Sequence, residues 1–220
     1  MTPEFYMFAG INGAGKSTLY STLAQTNSSF TNIKRANADE ISRKNHLDWH
    51  NSVDNFKAMK IEMQNVHRFI KEKKSFNMET TLASSKKAYL NLLNLAKENG
   101  FTTSLLYVGV DSPEVAKERV KSRVSKGGHG IPNEVIDRRY PKSLKNLEQL
   151  APCFDNIVLY DNTKDFKTIY KRERDQNITY IGSIKWAQEC IKADCQALHQ
   201  TSLQQSLLQQ QLNKSRGLDR

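Results

Sequence analysis

The sequence contains few residues of the kinds that mark unusual protein classes. It has only 3 cysteines and 5 prolines in 220 residues, which argues against a disulfide scaffold and a proline-rich repeat. No apolar run approaches the roughly 18 residues that cross a membrane. The first predicted strand starts almost at the N-terminus, so we expect no signal peptide. The three thiols lack metal-ligand spacing, and these absences together predict a cytoplasmic protein without a membrane span.

The charge of the chain favours a phosphorylated ligand. Lysine and arginine number 33 against 23 acidic residues, which gives a net charge of +10. Such a balance suits either nucleic acid or small phosphorylated molecules. The aromatic residues are not interleaved with the basic ones in a nucleic-acid-binding motif. We therefore expect a small-molecule substrate and regard nucleic acid as the less favoured partner.

A phosphate-binding loop is the clearest motif in the chain. Residues 9–18, "AGINGAGKST", fit the pattern G-x-x-x-x-G-K-[ST] between an apolar strand and a helical segment. Glycines let backbone N–H groups surround an anion, the lysine reaches the outer phosphates, and the hydroxyl after it is a ligand for Mg²⁺. The motif predicts ATP and Mg²⁺ binding, with Ser17 as metal ligand and Gly10, Asn12, Gly13, Ala14, Gly15, Lys16, Ser17 and Thr18 around the nucleotide.

The order of the predicted elements indicates an α/β fold. Short apolar strands are predicted at 4–9, 74–81, 101–110 and 154–162, with a strand edge at 32–40 and a weaker hairpin over 166–181. Helical patterns at 17–25, 54–74, 84–100, 111–124 and 133–150 alternate with them. Such alternation predicts a parallel sheet flanked by helices, here the P-loop NTPase fold with a helical lid and a C-terminal helix.

Three details of this assignment can be checked. Phe56, Met59, Met63, Val66 and Ile70 recur at helical spacing, which predicts that they form the packed face of one helix. Pro141 is expected to divide the helical segment 133–150 into two. Ser183 is expected to open a helix to about residue 198, before a glutamine-rich tail. We divide the chain into a P-loop kinase domain, 1–182, and a C-terminal helix with its tail, 183–220.

Acidic residues at the ends of predicted strands are the candidates for chemistry. Ligands of parallel α/β sheets bind outside the carboxyl ends of the strands, where Asp39, Glu79, Asp111 and Asp161 are expected. A carboxylate beside an acceptor hydroxyl can take its proton during phosphoryl transfer, and we assign this role to Asp39. The alternative for Asp39 is a helix N-cap. Glu79 is expected to bind a substrate hydroxyl or a water on Mg²⁺.

A basic, glycine-rich segment is predicted to form the lid. Arg119 and Arg123 are four residues apart and share one helix face. The stretch "SKGGHGIP" and then Arg138 and Arg139 follow. Arginines stabilise the charge that develops on the transferred phosphoryl group, and lid closure excludes water. We assign Arg119 and Arg123 this role. His129 is expected to be either a further phosphate contact or a structural residue of the lid.

These motifs resemble the zeta toxin family, whose best-known members are UDP-N-acetylglucosamine kinases. The resemblance covers about residues 4–163 and is carried by "GINGAGKST", "NADEI", "METTLAS", "RVKSRVSKGGHGIP", "RRY" and "VLYDN", in that order. It implies that Lys16 and Ser17 hold ATP and Mg²⁺, that Asp39 is the base, and that Arg119 and Arg123 clamp the phosphates. Residues of these motifs that are expected to contact the substrate are Asn37, Glu79, Thr81, His129 and Arg139.

One position departs from the family pattern. The sugar-nucleotide kinases have Glu, a small residue, Thr, any residue and then Arg, whereas Ala83 stands here in the place of the arginine. That arginine would help to bind the substrate diphosphate, and a forked bidentate donor is not readily replaced. Phosphorylation of UDP-N-acetylglucosamine itself therefore needs a direct test.

The sequence thus predicts an ATP- and Mg²⁺-dependent kinase that acts on a hydroxyl of a nucleotide-sugar. The resemblance implies a toxin with a companion antitoxin protein. Two alternatives stay open at this point. One is a kinase for another acceptor, such as a nucleotide cofactor or a polynucleotide end. The other is a nucleotide-dependent ATPase or switch that acts on a protein partner, in which case Asp39→Asn would leave ATP hydrolysis largely intact.

Overall fold

The computed structural model describes most of the chain. It covers residues 2–27, 30, 33–48, 50–128, 130–174, 177–180 and 184–218, with only the backbone described for 177–180 and 209–218. None of the helices in these ranges has the length and hydropathy of a membrane-spanning segment.

The described residues form one mostly parallel sheet of seven strands. The strands are β1 (Glu4–Ala9), β2 (Lys34–Ala36), β3 (Phe76–Thr80), β4 (Thr102–Gly109), β5 (Asn156–Asp161), β6 (Lys167–Glu173) and β7 (Asn177–Tyr180). Their order across the sheet is β2-β3-β1-β4-β5-β6-β7. The first five in this order run parallel, whereas β6 and β7 are antiparallel to their neighbours. The parallel α/β prediction and the predicted β6–β7 hairpin are confirmed.

Seven helices accompany the sheet. They are α1 (Lys16–Thr26), α2 (Ala38–Lys44), α3 (Ser52–Lys71), α4 (Lys86–Glu98), α5 (Pro113–Ser125), α6 (Asn133–Leu150) and α7 (Gln188–Leu218). These seven are the α-helices whose bounds the described residues define. Pro113 occupies the first turn of α5. A backbone N–H at this position has no acceptor within the helix, so proline loses no hydrogen bond there.

Side-chain alternation along the central strands divides the core into two layers. Phe5 and Met7 of β1 belong to one hydrophobic cluster, with side chains of α3 and α4, while Phe8 belongs to a second, with side chains of α1, α5 and α6. Every residue of β4 is buried. A strand covered on both faces is expected in a parallel sheet whose crossovers are helices. The carboxyl ends of β1, β3, β4 and β5 therefore meet at one edge, between the two helical layers.

The packed face of α3 differs from the predicted one in its N-terminal half. Val66 and Ile70 are buried as predicted, but Phe56 is 67% exposed and Met59 is 53% exposed. Ala58 and Glu62 occupy the buried face there instead. The reason is that this half of α3 packs on the short helix α2 as well as beside the sheet, so its inner face is rotated from the apolar stripe.

Pro141 does not divide α6, and this prediction was wrong. The helix runs without a break from residue 133 to residue 150. Side chains on both sides of the proline fix the helix to the body: Ile136 and Leu147 are buried, and the Tyr140 hydroxyl donates to the carbonyl of Val110 at 2.9 Å. These contacts offset the hydrogen bond that a proline removes from a helix interior.

The last helix starts later and extends further than predicted. Ser183 lies outside the described residues; a 3₁₀ turn at Lys185–Ala187 leads into α7, which continues to Leu218. Its first turns dock on β6 through an ion pair between Arg172 Nε and Asp194 Oδ2 at 2.7 Å, with both side chains at most 2% exposed. The three cysteines are free thiols. The division of the chain at residue 182 stays a prediction.

Candidate active site

A cleft of about 710 Å³ opens at the carboxyl edge of the sheet. It lies beside the loops that follow β1 and β5 and the start of α2, where ligands of parallel sheets bind. Predicted site residues that line it are Asn12, Gly13, Gly15, Lys16, Ser17, Thr18, Asn37, Asp39, Glu79, Arg119 and Arg123, and residues that the sequence analysis did not select are Glu40, Arg43 and Asn162. A smaller cleft of about 390 Å³ lies at the opposite edge and contains none of the predicted residues.

The loop between β1 and α1 has the shape of an anion cradle. Gly10 and Gly13 have φ angles of +135° and +82°, in the region that favours glycine. A Cβ atom on Gly10 would lie 2.2 Å from the carbonyl oxygen of Val108, and one on Gly13 would lie 2.4 Å from that of Ala116. The glycines are therefore required by the close packing of this loop. Helix α1 begins at Lys16, directly behind it.

Lys16 is held inside the cleft by two oxygen atoms. The side chain is only 7% exposed, and its Nζ donates to the carbonyl of Ile11 at 3.2 Å and lies 3.7 Å from Glu79 Oε1. Burial lowers the pKa of the ammonium group, and the carboxylates of Glu79 and Asp39 oppose that shift. The amine is thus already positioned for an incoming anion.

Glu79 is the centre of the polar network. The Ser17 hydroxyl donates to its two carboxylate oxygens at 3.1 and 3.2 Å, and Asn37 Nδ2 donates at 2.8 Å. Arg35 Nη2 forms an ion pair with it at 2.9 Å. One carboxylate at the end of β3 thereby links the phosphate loop, β2 and the start of α2.

Arg35 is a site residue that the sequence analysis missed. Its guanidinium also contacts Glu40 Oε1 at 2.6 Å and Asn77 Oδ1 at 2.9 Å, and it stacks 3.7 Å from the centroid of the Tyr20 ring. Burial on an aromatic face with three polar partners fixes the side chain rigidly. The sequence signal was weak because a basic residue in a three-residue strand is typical of a solvated edge.

Asp39 lies in the first turn of α2 and does not cap it. The N-cap is Asn37, whose side chain accepts the backbone N–H of Glu40 at 3.0 Å. The capping alternative considered for Asp39 is therefore wrong, and its carboxylate lines the cleft. Arg43, one turn later, donates from Nε to the Asp39 carbonyl at 3.4 Å. The turn between β2 and α2 thus brings Asp39 into the cleft that also contains Lys16.

The two predicted lid arginines reach the same cleft from α5. Arg119 Nη2 donates to the carbonyl of Thr163 at 3.1 Å. Arg119 Nη1 and the Nε and Nη2 atoms of Arg123 are buried and have no hydrogen-bond partner among the described residues. A buried guanidinium N–H without an acceptor is unfavourable, so these groups suit an anion that enters between them.

The remaining predicted contacts divide into three cases. Arg139 of α6 reaches the phosphate loop, where its Nη1 donates to Asn12 Oδ1 at 2.9 Å, and burial lowers the pKa of its guanidinium. Thr81 accepts the Ser143 hydroxyl at its carbonyl and does not line the cleft. Ala14, likewise, contributes its carbonyl to Asn162 at 2.8 Å. His129 lies outside the described residues.

Two of the four strand-end acids do not face the cleft. Asp161 accepts the indole N–H of Trp186 at 3.0 Å and the Thr163 hydroxyl at 2.7 Å, in a buried position. Asp111 is exposed and does not line the cleft. The strand-end rule therefore located the edge, but only Asp39 and Glu79 of these acids face the cleft.

A fifth acid, Glu62 of α3, lies behind the cleft. Its side chain is buried, and burial raises the pKa of its carboxyl to about 7. The Ala38 backbone N–H and the Arg35 guanidinium oppose that shift, while the charges of Asp39 and Glu79 add to it. The sequence analysis missed this residue, although a glutamate at i+4 from Ala58 and i−4 from Val66 on a packed helix was a readable signal.

Comparisons with known proteins agree with this arrangement. The Zeta toxin family model matches residues 1–175. An uncharacterized protein of Haemophilus influenzae is 30% identical over 145 residues, which are 64% of this chain and 94% of that protein.

Two solved structures share the fold. A structure of the PezAT chromosomal toxin-antitoxin system of Streptococcus pneumoniae has a TM-score of 0.60 and 17% identity, and the match covers 90% of this chain and 87% of that one. The AvrRxo1-ORF1:-ORF2 structure with ATP has a TM-score of 0.62 and 14% identity, and covers 88% of this chain and 64% of that one.

Proposed function

This chain belongs to the zeta toxin family, and we propose that it is an ATP- and Mg²⁺-dependent kinase for an alcohol hydroxyl of a nucleotide-sugar. One observation carries this proposal. Lys16, the Asp39 carboxylate, and those N–H groups of Arg119 and Arg123 that have no partner among the described residues all converge on a single cleft. Cations around a carboxylate are what transfer of a phosphoryl group to a hydroxyl requires.

The triphosphate would occupy the loop between β1 and α1. The backbone N–H groups of that loop and the start of α1 suit phosphate oxygens. Lys16 is close enough to Glu79 to exchange that partner for a phosphate without a large movement. The N–H groups of Arg119 and Arg123 would then stabilise the charge on the γ-phosphoryl group during transfer. The similar AvrRxo1 structure contains ATP, which supports a nucleotide as the ligand of this chain.

The residues present also fit a magnesium ion. The Ser17 hydroxyl and the Glu79 carboxylate lie within 3.2 Å of each other, and Mg²⁺ prefers oxygen ligands of this kind. Ser17 would bind the ion directly, and Glu79 would accept a hydrogen bond from one of its waters. When bound with the nucleotide, the ion supplies positive charge to the phosphate oxygens.

Asp39 would act as the base. The acceptor hydroxyl gives its proton to the Asp39 carboxylate while its oxygen forms a bond to the γ-phosphorus. The bond between that phosphorus and the bridging oxygen breaks, and ADP leaves with the electron pair. Because α2 begins at Ala38, the carboxylate is held by the first helical turn rather than by a long loop.

The phosphates of the acceptor need cationic partners in the cleft. Ala83 replaces the family arginine, so another cation must meet the substrate phosphates. Arg43 lines the cleft one turn after Asp39, and Arg139 reaches the phosphate loop from α6. We propose that these two arginines contact the diphosphate of the nucleotide-sugar. The toxin-antitoxin system among the similar structures supports an antitoxin protein as the partner of this chain.

A product assay tests the proposal. The purified chain would be incubated with ATP, Mg²⁺ and one acceptor at a time: UDP-N-acetylglucosamine, other nucleotide-sugars, nucleotide cofactors or a short oligonucleotide. Mass spectrometry would then detect any acceptor that gains one phosphoryl group. We expect gain on a nucleotide-sugar, no gain with Lys16→Ala, and a loss of about 10²-fold or more with Asp39→Asn.

Glu98→Gln is the matched control, because Glu98 is exposed at the end of α4 and does not line the cleft. It should retain the wild-type rate. Gain of a phosphoryl group by a different acceptor would support the kinase activity and identify another substrate. Loss of ATP with no acceptor gaining mass, unchanged in Asp39→Asn, would instead favour the ATPase or switch alternative.

A further inference from the structure

Glu62 is a buried carboxylate that the proposed reaction does not use. Its side chain is 7% exposed, and its Oε1 atom has no hydrogen-bond partner among the described residues. It does not line the cleft described above. An apolar side chain would fill the same place at a lower desolvation cost. This cost calls for a role that a neutral residue would not fulfil.

The surroundings of Glu62 indicate that role. The Ala38 backbone N–H on α2 is a hydrogen-bond donor to its carboxyl, and the charges of Asp39 on α2, Glu79 on β3 and Arg35 on β2 act on it electrostatically. Burial raises the pKa of the Tyr89 hydroxyl on α4, and the charge of Glu62 adds to that shift. Ala38 is the first residue of α2, directly before Asp39. Glu62 is thus the group on α3 that meets the start of the helix on which the base lies.

We propose that Glu62 is a positioning residue for Asp39. Its carboxylate holds the first turn of α2 through Ala38, and its negative charge favours transfer of the acceptor proton to Asp39. This inference rests on the proposed kinase function, because it assigns Asp39 as the base.

Loss of Glu62 is expected to affect the KM for ATP and kcat differently. Glu62 does not line the cleft that contains the phosphate loop, so its loss should leave the binding of ATP unchanged and lower the rate of transfer. Its contribution also depends on its ionisation, since a protonated carboxyl accepts a weaker hydrogen bond and adds no charge beside Asp39. Ionisation occurs near neutral pH, because burial raises the pKa of the carboxyl to about 7.

The first experiment is a pH profile of transfer at saturating substrates. In the wild type, kcat should rise about three- to tenfold between about pH 6 and about pH 8. Glu62→Gln should lack this rise and stay at the lower level, with the KM for ATP unchanged within about twofold. Glu98→Gln, an exposed change on α4, should keep the wild-type profile. A loss of kcat that is equal at every pH would mean a merely structural role and would overturn the proposal.

The second experiment needs no turnover. The backbone amide resonance of Ala38 should titrate with a midpoint near pH 7 in the wild type and not in Glu62→Gln. If it does not titrate, Glu62 does not hold α2 and the proposal fails, whatever the enzyme transfers. If Ala38 titrates but no acceptor is phosphorylated, the proposed function fails and the catalytic half of this inference falls with it.

Discussion

Replacing Glu62 with glutamine is expected to stabilise the folded protein by an amount that grows with pH. The carboxyl has a pKa of about 7 in the fold, against an ordinary value of 4.5. Below the ordinary value the group is protonated in both states and contributes no pH dependence. Between the two values the folded state keeps a proton that the unfolded state releases, so stability falls as pH rises.

The magnitude follows from the two pKa values. The two pKa values differ by about 2.5 units, and at about 1.36 kcal/mol per unit this corresponds to about 3 kcal/mol of folding stability. The wild type has lost all of this stability above about pH 7. Glu62→Gln lacks this loss. The free energy of unfolding in urea would be measured by circular dichroism from about pH 5 to about pH 8. The difference between variant and wild type should grow by about 3 kcal/mol over that range.

Titrations elsewhere in the chain cancel in this difference, because both proteins share them. Glu98→Gln is the control and should follow the wild type at every pH, since Glu98 is exposed. A stability difference between Glu62→Gln and the wild type that stays constant with pH would refute the reasoning. It would mean that the carboxyl ionises in the fold as it does in water.

Three further changes test the core that supports the site. Asp194→Ala would leave the Arg172 guanidinium buried without its ion-pair partner, and should cost about 3–5 kcal/mol in thermal or urea unfolding; a cost below about 1 kcal/mol would show that the pair is solvated. Leu93→Ala, at a core position that is 1% exposed, should cost about 2–5 kcal/mol. Phe56→Ala, on the exposed face of α3, should cost less than about 0.5 kcal/mol. A loss of stability in Phe56→Ala as large as that in Leu93→Ala would contradict the observed orientation of α3.

The sequence predicted the fold well where one local signal determined one element. The phosphate-binding loop, the apolar run 105–108 of β4 and the proline in the first turn of α5 each leave little choice of structure. The sequence was less informative where two elements compete for one face. The apolar residues Phe56 and Met59 gave the correct helical period but the wrong direction, because α2 covers the inner face of α3 there.

The candidate site shows the same limit. Lys16, Ser17 and Asp39 belong to short motifs whose chemistry can be read directly from their residue types. Arg35 and Glu62 could not be assigned in this way, since each acquires its meaning only from partners on other elements. Arg35 and Glu79 are 44 residues apart in sequence, and their contact depends on β2 pairing with β3.

The most direct test of the account is the ratio of phosphorylated acceptor to ADP formed by the wild type with ATP, Mg²⁺ and a nucleotide-sugar. If Asp39 deprotonates an alcohol that attacks the γ-phosphorus, each ADP is matched by one phosphorylated sugar, and Asp39→Asn reduces both products together. ADP that accumulates at the same rate in both proteins, without any phosphorylated acceptor, would contradict the proposed kinase.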